Sequence, residues 1–292
     1  MDRYFQTFIN SYSGYARYLY HEITTLSWHN YFYWLIGISF FFFILEWFFS
    51  WRRNQPKIRQ DFWMDGFYMF FNFFLFSLIA YNAISSVFVQ AFNEFLMSIG
   101  ITNLAAIEIG SWPVWSQLLT LFILRDFIHW NVHRLLHRVP FLWEFHKVHH
   151  SVKQMGFAAH LRYHWMENVV YRTIEYIPLG MIGFGIQDFF FVHIIALSIG
   201  HFNHSNIIVP LGPLRFLLNN PQMHTWHHAK TWPVEFKYGV NFGISLSLWD
   251  YIFGTEFMKK GAEQIELGFK GDETFPRSFK DQLFYGIKKK TR

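Results

Sequence analysis

YFYWLIGISFFFFILEWFFSW, residues Tyr31–Trp51, decides the fold class. At helical rise this run is long enough to cross a hydrocarbon core of about 30 Å. Its one acid, Glu46, falls near the end, and tryptophan and tyrosine gather at its two ends as interfacial anchors do. A second run, Gly66–Val89, contains no charged residue. Both read as membrane spans, because soluble helices of this length normally keep a polar face.

Composition agrees. Of 292 residues 52% are apolar, 38 are phenylalanine and 15% are charged, whereas a soluble domain carries about a quarter charged residues. No cysteine is present, so thiolate ligands and disulfides are excluded. The first 30 residues lack the basic start, apolar core and small-residue cleavage site of a signal peptide, and the first span is expected to insert as its own anchor.

Between the two runs lies RRNQPKIRQ, with Arg52, Arg53, Lys57 and Arg59, while Ala91–Pro113 has no lysine or arginine. Positive charge marks the cytoplasmic side, so the tip of this hairpin is expected there. A third apolar stretch, Val114–Leu124, returns toward the same side. A fourth region, Val169–Leu197, is interrupted by Pro178 and several glycines and reads either as one kinked span or as a hairpin of shorter helices.

The expected fold is all-α, an integral membrane helical bundle of about four transmembrane helices or equivalent hairpins with a cytoplasmic-side, histidine-rich helical cap. Residues 1–125 are expected to form the N-terminal transmembrane region and 126–258 the histidine-rich region with its further membrane hairpin. Residues 259–292 read as a basic cytoplasmic tail, within one structural domain overall. A net charge of +5, with lysines not interleaved on one face, gives no support to nucleic-acid binding.

Histidine carries the chemistry. Fourteen of the 16 histidines lie between His129 and His228. FHKVHHS (Phe145–Ser151) and MHTWHHA (Met223–Ala229) share the spacing H-x-x-H-H, which on a helix brings three imidazoles to one side of one turn. His133 and His137, and likewise His201 and His204, stand about one turn apart. These ten, His133, His137, His146, His149, His150, His201, His204, His224, His227 and His228, are the candidate metal ligands. They are too many for one ion, since a single zinc takes four ligands. Imidazole suits iron, zinc, copper or nickel, so ligand type leaves the metal open. Imidazoles at membrane depth are costly unless ligation satisfies them.

Ligating imidazoles donate their second N–H to an acceptor, for which Asp126, Glu167 and Asp250 are the candidates. Asn241 is expected nearby, and His160 and His164 beside the ligands or along a substrate channel.

RDFIHWNVHRLLH, LWEFHKVHHS, HSN, MHTWHH and YGVNFGISLSLWDYIFGT, in this order over about Asp126–Thr255, resemble the fatty acid hydroxylase and sterol desaturase superfamily of membrane di-iron oxygenases. The resemblance implies two iron ions, zinc being a possible substitute in purified protein, with dioxygen as cosubstrate and a membrane lipid as substrate: a sterol, a fatty acyl chain or an acyl-linked lipid. It implies hydroxylation, or else desaturation, and an external electron-transfer protein or reductase, because no nucleotide fingerprint or haem domain is legible. It also implies ligation by nine of the ten histidines, His201 being less secure. The protein is expected in a bacterial inner membrane or the endoplasmic reticulum, with its active site on the cytoplasmic side. A zinc-dependent membrane hydrolase or a metal-binding membrane protein would share the histidines and stays open.

Overall fold

The computed structural model describes residues 2–101 and 108–287. Its regular structure is helical; among the described residues only two isolated bridges, Leu218 with Leu246 and Ala229 with Leu267, pair extended chain. In order the helices are α1 (Asp2–Thr24), α2 (Tyr31–Phe49), α3 (Phe62–Phe70), α4 (Asn82–Ser98), α5 (Val114–Arg138), α6 (Pro140–His150), α7 (Trp165–Tyr171), α8 (Ile177–Ile182), α9 (Ile186–His204), α10 (Pro221–His227), α11 (Leu248–Phe253) and α12 (Phe279–Leu283). Wider π-helical turns join α3 to α4 through Phe71–Leu75 and Ser77–Tyr81, and α7 to α8 through Arg172–Tyr176.

Two helical runs, Tyr31–Phe49 and Phe62–Ile79, are long and apolar enough to cross a membrane. Only 17% and 33% of their residues are buried, and Phe40, Phe41, Phe48 and Ile79 face outward, where the core helix of a soluble protein would be covered. The inward side of α2 packs Tyr31 and Leu35 with Phe74, Leu161 and Leu197. Glu46, the acid of this run, points inward and accepts the backbone N–H groups of Phe157 (2.7 Å) and Asn206 (2.8 Å). It ties the end of α2 to the two loops that flank the histidines.

The basic tip between the runs is also tied down. The Arg52 guanidinium donates to the carbonyls of Ala262 and Ile265, and buried Arg59 pairs with Asp65 and donates to Gln154 O. The tip and the histidine-bearing loops therefore lie at the same end of the molecule. The region Val169–Leu197 is two helical segments rather than one kinked span. The first ends at Gly183, whose φ of +112° is a left-handed terminator open to glycine, and α9 begins three residues later.

The stretch from residue 259 onward, expected as a tail, packs against α3 and α6. Phe269 and Phe275 join Tyr68 and Val148 in one core cluster, and Gln282 accepts from the Tyr68 hydroxyl at 3.0 Å. Buried apolar and hydrogen-bonding surface outweighs its net charge. Lys288–Lys290 of the expected tail, and residues 102–107 of the loop expected opposite the basic tip, lie outside the described residues.

Candidate metal centre

A proline makes the first corner of the site. Pro140 occupies the first turn of α6 and forces Val139 out of the helical region (φ −92°, ψ 113°), so α5 stops at Arg138 and the chain folds back. The His133/His137 face of α5 thereby meets the His146/His150 face of α6. On the other side Asn220 caps α10, its side chain accepting from Met223 N at 3.0 Å, and Pro221 pre-sets the first turn. His224 and His227 lie on that short helix and His228 ends it.

Nine histidines gather into two groups: His133, His137, His146, His150 and His227 in one, His149, His204, His224 and His228 in the other. Within each group the nearest ring nitrogens lie within 4.8 Å of one another. Each H-x-x-H-H segment therefore divides its ligands. Its i,i+4 pair serves one group (His146 and His150, or His224 and His228) and its middle histidine serves the other (His149, or His227).

The hydrogen bonds show which nitrogen is left for a metal. A carbonyl oxygen can only accept, so an imidazole nitrogen facing one must carry the proton. The Nδ1 atoms of His133, His137 and His227 donate to the carbonyls of Phe242 (2.7 Å), Tyr238 (3.0 Å) and Val240 (2.7 Å). Those of His149 and His204 donate to Arg162 O (3.0 Å) and Gly200 O (2.8 Å). His146 Nδ1 faces a Glu167 oxygen at 2.8 Å.

The remaining Nε2 atoms are bare lone pairs, yet they converge. His133 and His146 approach to 3.1 Å and His149 and His204 to 3.3 Å, while His137 meets the Nε2 of His150, whose tautomer no carbonyl fixes, at 3.2 Å. The Nε2 of His227 and the Nδ1 atoms of His150, His224 and His228 are buried without any partner. Facing lone pairs repel and buried orphan nitrogens are costly, unless a cation lies between them. Spacings of about 3 Å also suit neighbouring nitrogens on one ion with metal–nitrogen bonds of about 2.0–2.1 Å. Burial pulls the His149 imidazole down to about 4 and that of His227 to about 3, so both are neutral and free to ligate at pH 7. The residues present fit two metal ions, one for each group.

His201, a candidate ligand by sequence, stands outside both groups. Its ring meets Ser39 Oγ at 3.1 Å and His160 Nδ1 at 3.0 Å, because its position on α9 faces α2 and the 157–161 turn. His160 instead leans on His204, with ring centroids 5.1 Å apart. Two of the three candidate acids also act differently from expectation. Asp126 accepts from the N–H groups of Ser245 and Leu246 and from the Trp249 indole, and touches no candidate ligand. Asp250 accepts from Phe242 N, Gly243 N, the Trp130 indole and Thr255 Oγ1. It fixes the Phe242 peptide whose carbonyl receives His133. His164 caps α7, accepting from Met166 N, and its other nitrogen faces Leu283 O at 2.8 Å. Asn241 bonds Met223 O, Phe257 O and Phe257 N.

The residues missed by the sequence are Tyr238, Val240 and Phe242, which act through backbone carbonyls that any side chain supplies. One signal was available: the intervening Gly239 (φ +114°) and Asn241 (φ +53°) are types that tolerate left-handed backbone, and they alternate with the three donors of oxygen. Gly239 is further constrained, since a Cβ there would lie 3.3 Å from His137 Nδ1.

A cavity of about 790 Å3 opens onto the centre at His133, His146, His149 and His204. Its walls include Phe73, Phe74, Leu161 and Leu197, with Arg125, His129 and Glu175 farther along α5 and the π-helical turn after α7. Glu175 pairs with Arg125 and accepts from His129 at 3.2 Å.

Residues 118–255, just under half of the chain, match the fatty acid hydroxylase profile. An ornithine lipid hydroxylase of Rhizobium tropici is 29% identical over 160 residues, 55% of this chain and 47% of that protein. An alkylglycerol monooxygenase of Xenopus tropicalis is 31% identical over 52% of this chain and 33% of its own length. Methylsterol monooxygenase 1-1 of Arabidopsis thaliana is 29% identical over 52% and 51%. The match thus spans about half or less of these relatives. No solved structure matches the chain.

Proposed function

We propose that the protein is a membrane-bound di-iron oxygenase that hydroxylates a C–H bond of a lipid. The observation that carries this reading is the pair of histidine groups whose unprotonated nitrogens converge at the end of a lipid-sized cavity. His133, His137, His146, His150 and His227 would hold one iron, and His149, His204, His224 and His228 the other. Bound iron supplies reductive activation of dioxygen toward an unactivated C–H bond. The balance is one oxygen atom into the C–H bond and one into water, with two electrons and two protons from an external reductase or electron carrier.

The chain's own part is orientation and exclusion. The carbonyls of residues 238, 240 and 242, with Arg162 O, Gly200 O and Glu167, hold Nδ1 protons and turn six Nε2 lone pairs inward. Such partners typically contribute about 10–100-fold in metal affinity or activity. Phe73, Phe74, Leu161 and Leu197 keep water from the end of the cavity where the substrate carbon would approach. About four spans, with the cap on the cytoplasmic side, would let the lipid enter from the bilayer; the basic tip held against the cap supports that orientation.

The test is the iron-loaded protein in lipid nanodiscs, given a reductase system and isotopically heavy dioxygen. The reading expects a lipid that gains one labelled oxygen. Oxygen consumption with no labelled lipid, or hydrolysis in its place, overturns it.

A further inference from the structure

The cavity wall carries three acids and two arginines, and only one of the arginines has a carboxylate partner. Asp126 is held by two backbone N–H groups and an indole, Glu167 by His146, and Glu175 by Arg125 and His129. Every acid on the wall is engaged, and Arg125 is neutralised by Glu175. Arg172 is different. Its Nη1 donates to the Ser77 hydroxyl, its Nη2 lies 3.5 Å from Asn72 O, and its guanidinium stands 5.2 Å from the centre of the Tyr81 ring. All of these partners are neutral, and among the described residues no carboxylate pairs with it.

This placement is built by two irregular turns. The π-helical stretch after α7 turns Arg172 toward the π-helical stretch after α3, where widened turns free the carbonyls of Asn72 and Phe73 for Arg172 and for the Tyr15 hydroxyl. Tyr15, Tyr18, Tyr81, Asn82 and Ser85 give the wall more hydrogen-bonding groups. Arg172 follows Glu167 by five residues, which at helical rise is about 7–8 Å along the axis. Glu167 itself touches the ligand His146. An arginine at membrane depth normally pairs with an anion, because an uncompensated charge there is expensive.

We infer that Arg172 binds an anionic group of the lipid substrate, a carboxylate or a phosphate, on the cavity wall about one and a half helical turns beyond Glu167. The inference rests on reading this cavity as the lipid site. It separates substrate classes: a lipid with a carboxylate or phosphate near its polar end supplies the missing charge, and an uncharged glyceryl ether does not. A guanidinium receives either anion through paired N–H donors, and charge-assisted bonds of this kind discriminate by about tenfold or more.

The experiment compares matched probes for binding to metal-loaded protein in nanodiscs: an N-acyl amino acid against its methyl ester, and a lysophosphatidate against the corresponding monoacylglycerol. Wild type is expected to prefer the anion in at least one pair by about tenfold, and the preferred pair identifies the group. R172Q is expected to bring that ratio near one, and R172K to keep part of it. Equal affinity for acid and neutral partner in both wild-type pairs overturns the assignment, as does a preference that survives in R172Q. The wild-type comparison decides the matter even if a variant does not fold. Anion preference without oxygen insertion would sink the oxygenase reading and leave the Arg172 assignment standing.

Discussion

His146 Nδ1 lies 2.8 Å from a Glu167 oxygen, and among the described residues Glu167 is the one acid bonded to any of the nine converging histidines. Burial pushes the Glu167 carboxyl up to about 8, with the His164 N–H only partly opposing. Asp126 and Asp250 brace the 242–246 backbone instead.

E167Q should therefore act on one metal group more than the other. The amide keeps an acceptor for the His164 N–H but gives His146 a partner that cannot ionise when a metal binds. Metal affinity at the five-histidine group is expected to fall by about tenfold, with the four-histidine group less affected. Chelator competition, resolved into a tight and a weakened ion, checks this; two unchanged affinities would contradict it.

The carbonyl ladder at 238–242 gives a second expectation. G239A places a side chain at φ +114° and 3.3 Å from His137 Nδ1. Asn241 accepts left-handed backbone and makes bonds to Met223 and Phe257, which N241A removes. Each variant should lose about 1–3 kcal/mol of stability and some of the bound metal. Thermal unfolding with metal content measured in parallel checks both, and a stable variant with full metal content would argue against the ladder.

His201 and His204 look alike in sequence and differ in space. Only His204 points its Nε2 at His149 and His224, at 3.3 and 2.9 Å. H204A should lower bound metal, while H201A, which loses contacts with Ser39, His160, Phe42 and Phe157 but none with the two histidine groups' converging nitrogens, should keep it. Equal loss in both would return His201 to the ligand set.

How much was legible follows from what each element depends on. The α2 span and the two H-x-x-H-H turns announce themselves by composition and spacing, which act through side chains. That His149 and His227 cross to the opposite group depends on the corner at Pro140 and the placement of α10, relations between distant segments. The carbonyls of Tyr238, Val240 and Phe242 are backbone atoms and leave almost no compositional trace. Asp126 and Asp250 were expected as partners of the imidazoles, but their bonds go to the 242–246 loop, because that loop's N–H groups have no helix or strand to satisfy them.

The strap after residue 259 carries a pH expectation. Burial raises the Asp272 carboxyl, but Lys153, the Phe269 N–H and Lys230 outweigh it, and the net shift is downward. A carboxylate depressed on folding adds stability above the ordinary aspartate range near pH 4, and that stability is lost as pH falls through the lower folded value. Wild type should be more stable than D272N at pH 7, with the difference shrinking as the pH drops below about 4. A gap that stays constant across this range would show that Asp272 acts by shape rather than charge.

The most direct test is the number of metal ions held by one chain. Protein purified without oxygen and loaded with ferrous iron should contain two irons per chain by elemental analysis, falling when His149 or His227 is replaced by alanine. A folded wild-type chain that binds one ion or none, or alanine variants that keep both, would contradict the paired centre.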